Sequence, residues 1–157
     1  MRIRYLAATA ALLAIASPAF AQSTPVSFSP EFQQALEEDL GAREGEVLRA
    51  AVIDAIDAEF ARRGASTPSG ITVTIVDAAP NRPTMQQLRD QPGLDSVRSI
   101  SIGGAELRAT LPNGEVVTHR RYNHSLSDLS GAASTWTEAH RAIRRFAVKV
   151  ADAYASR

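Results

Sequence analysis

The side chains of this sequence that could act chemically are few, and they do not form a metal-binding pattern. The three histidines are His119, His124 and His140, and there is no cysteine. His119 and His124 lie five positions apart along a predicted strand, and this odd spacing leads us to expect that they point to opposite faces. His140 has Trp136 and Arg144 four residues away, rather than another ligand, on a predicted helix. The spacings typical of zinc sites are absent, so no metal site or cofactor is predicted.

Nucleophilic catalysis has no sequence signature either. The chain lacks both a cysteine and the G-x-S-x-G motif of the hydrolase nucleophile elbow. His124, Ser125 and Asp128 are neighbours in sequence, but a catalytic triad is defined by geometry across the fold rather than by adjacency. No catalytic residue is assigned, and a small hydrolase using Ser125 and His124 is the least favoured alternative.

Two segments carry residue types that are common at binding sites. Arginine and tyrosine are enriched where proteins recognise partners. One segment is a long predicted loop, which offers amide and guanidinium donors beside apolar side chains, and the other is the end of the last predicted strand. The candidate binding residues are Asn81, Arg82, Met85 and Arg89 in the loop, and Arg120, Arg121, Tyr122 and His124 at the strand end. The alternative interpretation is an ordinary polar surface.

The first 21 residues have the features of a cleavable export signal. Arg2 and Arg4 precede the short apolar stretch 5–16, and the segment 19–21 (Ala-Phe-Ala) matches a small-x-small cleavage site. The apolar stretch is shorter than the ~20 residues that a membrane-spanning helix needs. Because no cysteine follows the signal, a lipoprotein anchor is not expected. We therefore expect cleavage before Gln22, a periplasmic or secreted protein without a transmembrane anchor, and a single domain over residues 22–157.

Charge is balanced in total but unevenly distributed. The 17 basic and 17 acidic side chains give no net charge, and nothing in this total suggests nucleic-acid binding. Residues 31–59 are mainly acidic, whereas residues 119–149 are rich in arginine. This asymmetry indicates either a basic face for an anionic partner or two neighbouring helices of complementary charge. We favour the two helices of complementary charge over a binding face, because runs of charged residues usually form a solvent-exposed helix face.

The first half of the domain has clear helical periodicity. Ser29-Pro30 is typical of a helix start, and Gly41 of its end. A longer helix is predicted over residues 43–63, because apolar residues recur every four positions: Leu48, Val52, Ile56 and Phe60. The β-branched segment 71–76 predicts a strand.

The second half predicts a short helical turn, a β-hairpin and a final helix. Residues 84–87 form a capping box within the loop 77–98. Residues 99–111 predict a strand with a bulge at 103–104, and the turn 112–114 leads into a strand over 115–124.

The turn leaves the hairpin register open. A two-residue turn would place Glu106 opposite Arg121, and a three-residue turn would place it opposite Arg120. A second capping box at 135–138 predicts a final helix over residues 136–155, with Trp136 in the core. The expected fold is α+β, with an antiparallel three- to four-stranded sheet and two long amphipathic helices packed on one face.

Three segments carry a resemblance to known proteins: the helix start at 41–46 (GAREGE), the strand at 72–77 (TVTIVD) and the final helix with Trp136-Thr-Glu-Ala-His followed by Phe146-Ala. The chain resembles small exported proteins of unknown function from Gram-negative bacteria. It is more loosely similar to envelope lipoproteins in which such a helix closes a β-meander. The resemblance implies an exported accessory protein and supplies no active site.

Taken together, the sequence favours an exported, non-catalytic binding or envelope-accessory protein. The expected partner is an envelope protein or an anionic cell-wall component. A small-molecule or glycan binder, with the loop 77–98 as a lid, is the alternative.

Overall fold

A computed structural model describes residues 24–123, 125 and 134–156. The predicted export signal lies outside these residues. The described elements, in chain order, are β1 (Val26–Phe28), α1 (Pro30–Ala35, continued by the π-helical turn Leu36–Leu40), α2 (Ala42–Arg62), β2 (Thr72–Ala79), α3 (Met85–Asp90), β3 (Gly104–Thr110), β4 (Val116–Tyr122) and α4 (Thr137–Ala155).

The strands form one mixed sheet in the order β1-β2-β3-β4. The pairs β2–β3 and β3–β4 are antiparallel, as predicted. The expectation of a wholly antiparallel sheet is wrong, because β1 pairs in parallel with β2, with Val26 opposite Val73. The amide of Ser29 extends this pairing by donating to the carbonyl of Ile75 at 3.0 Å. Residues 26–28 therefore form one edge of the sheet.

A single core lies between one face of the sheet and the two long helices. Val73 and Ile75 of β2 and Leu107 of β3 are buried with apolar side chains of α2 and α4. On the other sheet face, Thr72 and Arg108 are exposed, and Thr74 and Glu106 are half-buried. This alternation is that of a sheet covered on one side only, so the prediction of an α+β fold with both long helices on one face is confirmed.

Local sequence determines where the first helix begins and ends. The Ser29 hydroxyl accepts a hydrogen bond from the amide of Phe32 at 3.1 Å, as the N-cap pattern predicts. Gly41 ends the π-helical turn with φ +103°, a conformation that L side chains rarely adopt. The predicted capping box on α3 is also confirmed, with Thr84 and Gln87 satisfying one another's backbone amides.

The hairpin between β3 and β4 has a three-residue turn. Thr110 pairs with Val116, and Glu106 lies opposite Arg120, one of the two registers that the sequence left open. The pair makes a 3.5 Å ion pair on the exposed sheet face.

The glycine pair before β3 has a different role from the predicted one. The strand begins at Gly104 rather than at residue 99, and the only register shift between β2 and β3 lies between Ile75 and Asp77. The bulge predicted at 103–104 is therefore wrong. A Cβ on Gly104 would lie 2.1 Å from the carbonyl oxygen of Arg121, and one on Gly103 would lie 2.5 Å from Asn81 Nδ2. Both positions need glycine because other groups approach the backbone closely.

Among the described residues, no helix is both long and apolar enough to span a membrane.

Candidate functional site

Asn81, expected in an exposed binding loop, is fully buried at the start of α4. Its Oδ1 accepts a hydrogen bond from the amide of Glu138 at 2.8 Å, and its Nδ2 donates to the carbonyl of Ser101 at 3.3 Å. Its own amide donates to the carbonyl of Thr135 at 2.7 Å. Asn81 therefore acts as a helix cap supplied from a distant part of the chain.

This arrangement replaces the capping box predicted at residues 135–138. The N-cap residue is Trp136, which makes no side-chain capping bond. The amide of Glu138, which the box would have paired with Thr135, is instead bound by Asn81. The side chain of Asn81, 57 residues away in sequence, thus takes the place of the local capping bond.

Arg82 is also bonded to its own loop. Its Nη1 donates to the carbonyl oxygens of Val97 at 2.6 Å and Ser96 at 3.3 Å. These bonds connect the two ends of the irregular segment between β2 and β3. The side chain is thus committed to holding the loop together.

Met85 and Arg89 are exposed on α3, beside the first turn of α2. They line a shallow cleft of about 290 Å³ with Gly41 and Arg43. Asp39 fixes α3 in place, because its two carboxylate oxygens accept hydrogen bonds from Gln87 and Gln91 at 2.7 and 2.8 Å. These bonds hold α3 against the π-helical turn.

The described strand-end candidates lie along β4, which is an edge strand of the sheet. His119, Arg120, Arg121 and Tyr122 line a cleft of about 500 Å³ along β4. We call this the β4 cleft. The remaining candidate, His124, lies outside the described residues. Because side chains alternate along a strand, Arg120 and Tyr122 project to the uncovered face, and His119 and Arg121 to the face covered by α4.

On the uncovered face, Tyr122 and Arg120 are held by carboxylates. The Tyr122 hydroxyl donates to Asp77, and the Arg120 guanidinium lies 5.5 Å from the centre of the Tyr122 ring. Burial, together with the hydrogen bond to Asp77, holds the pKa of Tyr122 well above its usual value. The phenol is therefore protonated near neutral pH and is not available as a base.

On the covered face, Arg121 meets a buried carboxylate. Glu138 is 1% exposed and accepts a hydrogen bond from Arg141 on the next turn of α4. Its second oxygen lies 3.8 Å from Nε of Arg121, and neither of these two buried atoms has a hydrogen bond within the described structure. Glu138 therefore attracts the Arg121 guanidinium from the α4 side of the strand.

Two further cations of α4 belong to this region, and the sequence reasoning did not single them out as site residues. Arg145 and Lys149 are exposed and follow Glu138 and Arg141 at helical spacing, on the side of α4 that faces β4. Burial lowers the pKa of His119, and the charges of Lys149, Arg145 and Arg121 lower it further. Because Glu138 on the same side of α4 approaches Arg121 of β4, both cations lie on the side of α4 that packs against β4, although neither lines the cleft itself. We call the cleft together with Arg145 and Lys149 the cationic surface.

Helix α2, which lies mostly in the acidic segment 31–59, does not neutralise these cations. Helices α2 and α4 pack against one another, but the ion pair between them in the described structure joins Arg63, the residue that directly follows α2, to Asp152 of α4 at 2.7 Å, the reverse of the expected polarity. Glu44 of α2 accepts from the indole of Trp136 at 2.6 Å. The arginine-rich side of α4 therefore faces β4 rather than α2.

The described residues contain no cluster of three or more histidine, aspartate or glutamate side chains that could hold a metal ion. The Ser125–His124 pair of the hydrolase alternative cannot be placed, since His124 lies outside the described residues. What the cationic surface can do chemically is bind negative charge by hydrogen bonds and electrostatic attraction.

Comparison with known proteins finds no matching family model, no matching curated protein and no matching solved structure. The resemblance to small exported proteins and envelope lipoproteins therefore stays a prediction.

Proposed function

We propose that this chain is an exported, non-catalytic binding protein of the bacterial envelope, and that the cationic surface binds an anionic envelope component. The observation that carries the proposal is the placement of His119, Arg121, Arg145 and Lys149 where β4 packs against α4, a contact marked by the approach of Arg121 to Glu138.

Export is supported by the sequence of residues 1–21. If it occurs, protein recovered from the periplasmic fraction begins at Gln22 on N-terminal sequencing. A protein that retains Met1 and is recovered in the cytosol contradicts the localisation.

The electrostatic basis of binding makes the salt dependence informative. At physiological ionic strength, charges more than ~8 Å apart on a protein surface are largely screened. Binding that depends on several exposed cations must therefore weaken as salt is added. Binding through an apolar surface would weaken little.

The test is co-sedimentation of the mature protein with purified envelope fragments at low and high salt. We expect the Arg145→Ala/Lys149→Ala protein to bind roughly tenfold more weakly, since each exposed ion pair contributes up to ~1 kcal/mol. The matched control is Arg144→Ala, which removes an exposed arginine beside Arg145 that faces α2 and His140 instead of β4. Equal loss in both proteins, or no loss in either, contradicts the proposal.

A further inference from the structure

The cationic surface carries more positive charge than its neighbouring carboxylates balance. Glu106 pairs with Arg120, and Glu138 is shared between Arg121 and Arg141. In the described part of the chain, no carboxylate lies within 4 Å of the side-chain nitrogens of Arg145 or Lys149, whose exposed positions are one helical turn apart. A ligand here would meet two uncompensated charges and the shared charge of Arg121.

His119 lies among these charges. Arg121 is its neighbour on β4, and Arg145 and Lys149 approach it from α4, whereas the residue opposite on β3 is the apolar Leu107. No acidic side chain of the described structure counteracts the three cations at this position. The imidazole is therefore uncharged near neutral pH.

Resting on the function proposed above, we infer that the cationic surface binds a doubly charged phosphate group, a phosphate monoester carried by an envelope glycan or lipid. A monoester has nearly two negative charges at neutral pH and three acceptor oxygens. It can compensate both Arg145 and Lys149 and still accept hydrogen bonds from the Arg121 guanidinium, a geometry that arginine favours for phosphate. A carboxylate carries one charge and would leave one of these cations unbalanced.

A bound dianion also changes the protonation of His119. Negative charge beside the imidazole favours its protonated form, so the pKa of His119 must rise when the ligand binds. By linkage, affinity for an anion that stays doubly charged increases as the pH falls through the titration of His119. Sulfate is such an anion across this pH range.

The first experiment compares glycerol phosphate with acetate at pH 7.5 and equal ionic strength, following chemical shifts of the mature protein by NMR. We expect saturable shifts at residues 119–122 and 145–149 with glycerol phosphate and at least tenfold weaker binding of acetate. We expect the Arg145→Ala/Lys149→Ala protein to lose about tenfold in affinity for glycerol phosphate, and Arg144→Ala to retain it. Equal affinity for the two anions overturns the inference, as does an adventitious interaction that the double variant leaves unchanged.

The second experiment follows the ring signal of His119, assigned with a His119→Asn protein, between pH 5 and 8 in sodium sulfate and in sodium chloride of equal ionic strength. We expect sulfate to raise the pKa of His119 by roughly one unit, a tenfold change in proton affinity. His140, beside Arg144 on the other side of α4, is the internal control and should titrate alike in both salts. No difference at His119, or the same difference at His140, overturns the inference.

Vesicles distinguish the two sources of phosphate. If the monoester belongs to a lipid, phosphatidylcholine vesicles containing phosphatidic acid bind the protein, and those containing the diester phosphatidylglycerol at equal negative charge bind it less. Retained glycerol phosphate binding without vesicle binding assigns the phosphate to a glycan or a soluble ligand. Equal binding of both anionic vesicles overturns the preference for a monoester.

These experiments distinguish failure of the proposed anion-binding function from failure of the phosphate inference. If envelope fragments are bound through Arg145 and Lys149 but phosphate is not preferred over acetate, the anion-binding function stands and the phosphate class is wrong. If neither is bound through these residues, the function itself is wrong.

Discussion

The loop around Asn81 and the cleft along β4 have similar side chains but very different surroundings. Both were singled out by sequence for their arginine and polar residues. In the loop, Asn81 is fully buried and Arg82 is bonded to two backbone carbonyls. Along β4, Arg121 lines an open cleft with its guanidinium only partly compensated. The comparison shows that the sequence alone does not distinguish polar side chains that hydrogen-bond within the fold from those that remain accessible to a ligand.

The largest expected effect concerns the buried member of the loop. Asn81→Ala leaves the buried amide of Glu138 and the carbonyl of Ser101 without their partner, and we expect it to lower the free energy of unfolding by about 2–4 kcal/mol. Urea denaturation of the mature protein measures this. Asn113→Ala, in the exposed hairpin turn, is the control and should cost less than ~1 kcal/mol. Similar costs for the two substitutions would contradict the role of Asn81 as a buried link between residue 101 and the start of α4.

A substitution at Gly103 tests the same packing around the Asn81 side chain. A Cβ at this position would lie 2.5 Å from Asn81 Nδ2, so we expect Gly103→Ala to cost about 1–3 kcal/mol through overpacking. In a protein that already carries Asn81→Ala the atoms in the way are absent, and the additional cost should be smaller. Strictly additive costs in the urea denaturation of the double variant would contradict the proposed contact.

Arg82→Ala should have a smaller effect on stability, about 1 kcal/mol, because a partly exposed side chain loses bonds to two carbonyls that water can then reach. Hydrogen exchange should show faster opening around residues 95–98, since these bonds hold that turn to the start of the loop. Unchanged exchange in this segment would mean that the two bonds do not hold it.

The smallest effect is electrostatic and belongs to the cleft. Removal of two cations in the Arg145→Ala/Lys149→Ala protein should raise the pKa of His119 toward its usual value of 6.5. The pKa of His119 is lower in the folded state than in the unfolded chain. As the pH falls, the unfolded chain therefore binds a proton first. The free energy of unfolding, which has its full value above pH ~6.5, declines as the pH falls through the folded-state pKa. The double variant should lose less stability over this interval, as measured by urea denaturation at pH 7.5 and pH 5. An equal or larger loss would place these cations away from His119.

Elements with strong local patterns were predictable from the sequence. The apolar spacing of α2 and α4, the β-branched run of β2 and the turn 112–114 each depend on neighbours within a few residues. The three-residue strand β1 was missed, because its order depends on parallel pairing with β2, far along the chain. Short strands carry too little pattern to reveal such pairing.

The candidate site was predictable only in part for the same physical reason. Arg120, Arg121 and Tyr122 were singled out from residue type at a strand end, and they line the β4 cleft, with Arg121 on the opposite face of the strand from Arg120 and Tyr122. The roles of Asn81 and Glu138 depend on contacts between distant segments, and no local signal marks them. The spacing of Arg141, Arg145 and Lys149 on one side of α4 was the available clue to the rest of the cationic surface. It pointed to a charged face without indicating that the face borders β4.

The most direct test of the contrast between loop and cleft is the affinity of Arg82→Ala and Arg121→Ala for envelope fragments, measured where both proteins are folded. The structure predicts that Arg82→Ala binds as the unmodified protein does, because its side chain is committed to the loop. Arg121→Ala should bind at least about fivefold more weakly, the effect of losing one partly exposed ion pair. Unimpaired binding by Arg121→Ala, together with a loss in Arg82→Ala, would reverse the assignment and contradict the account.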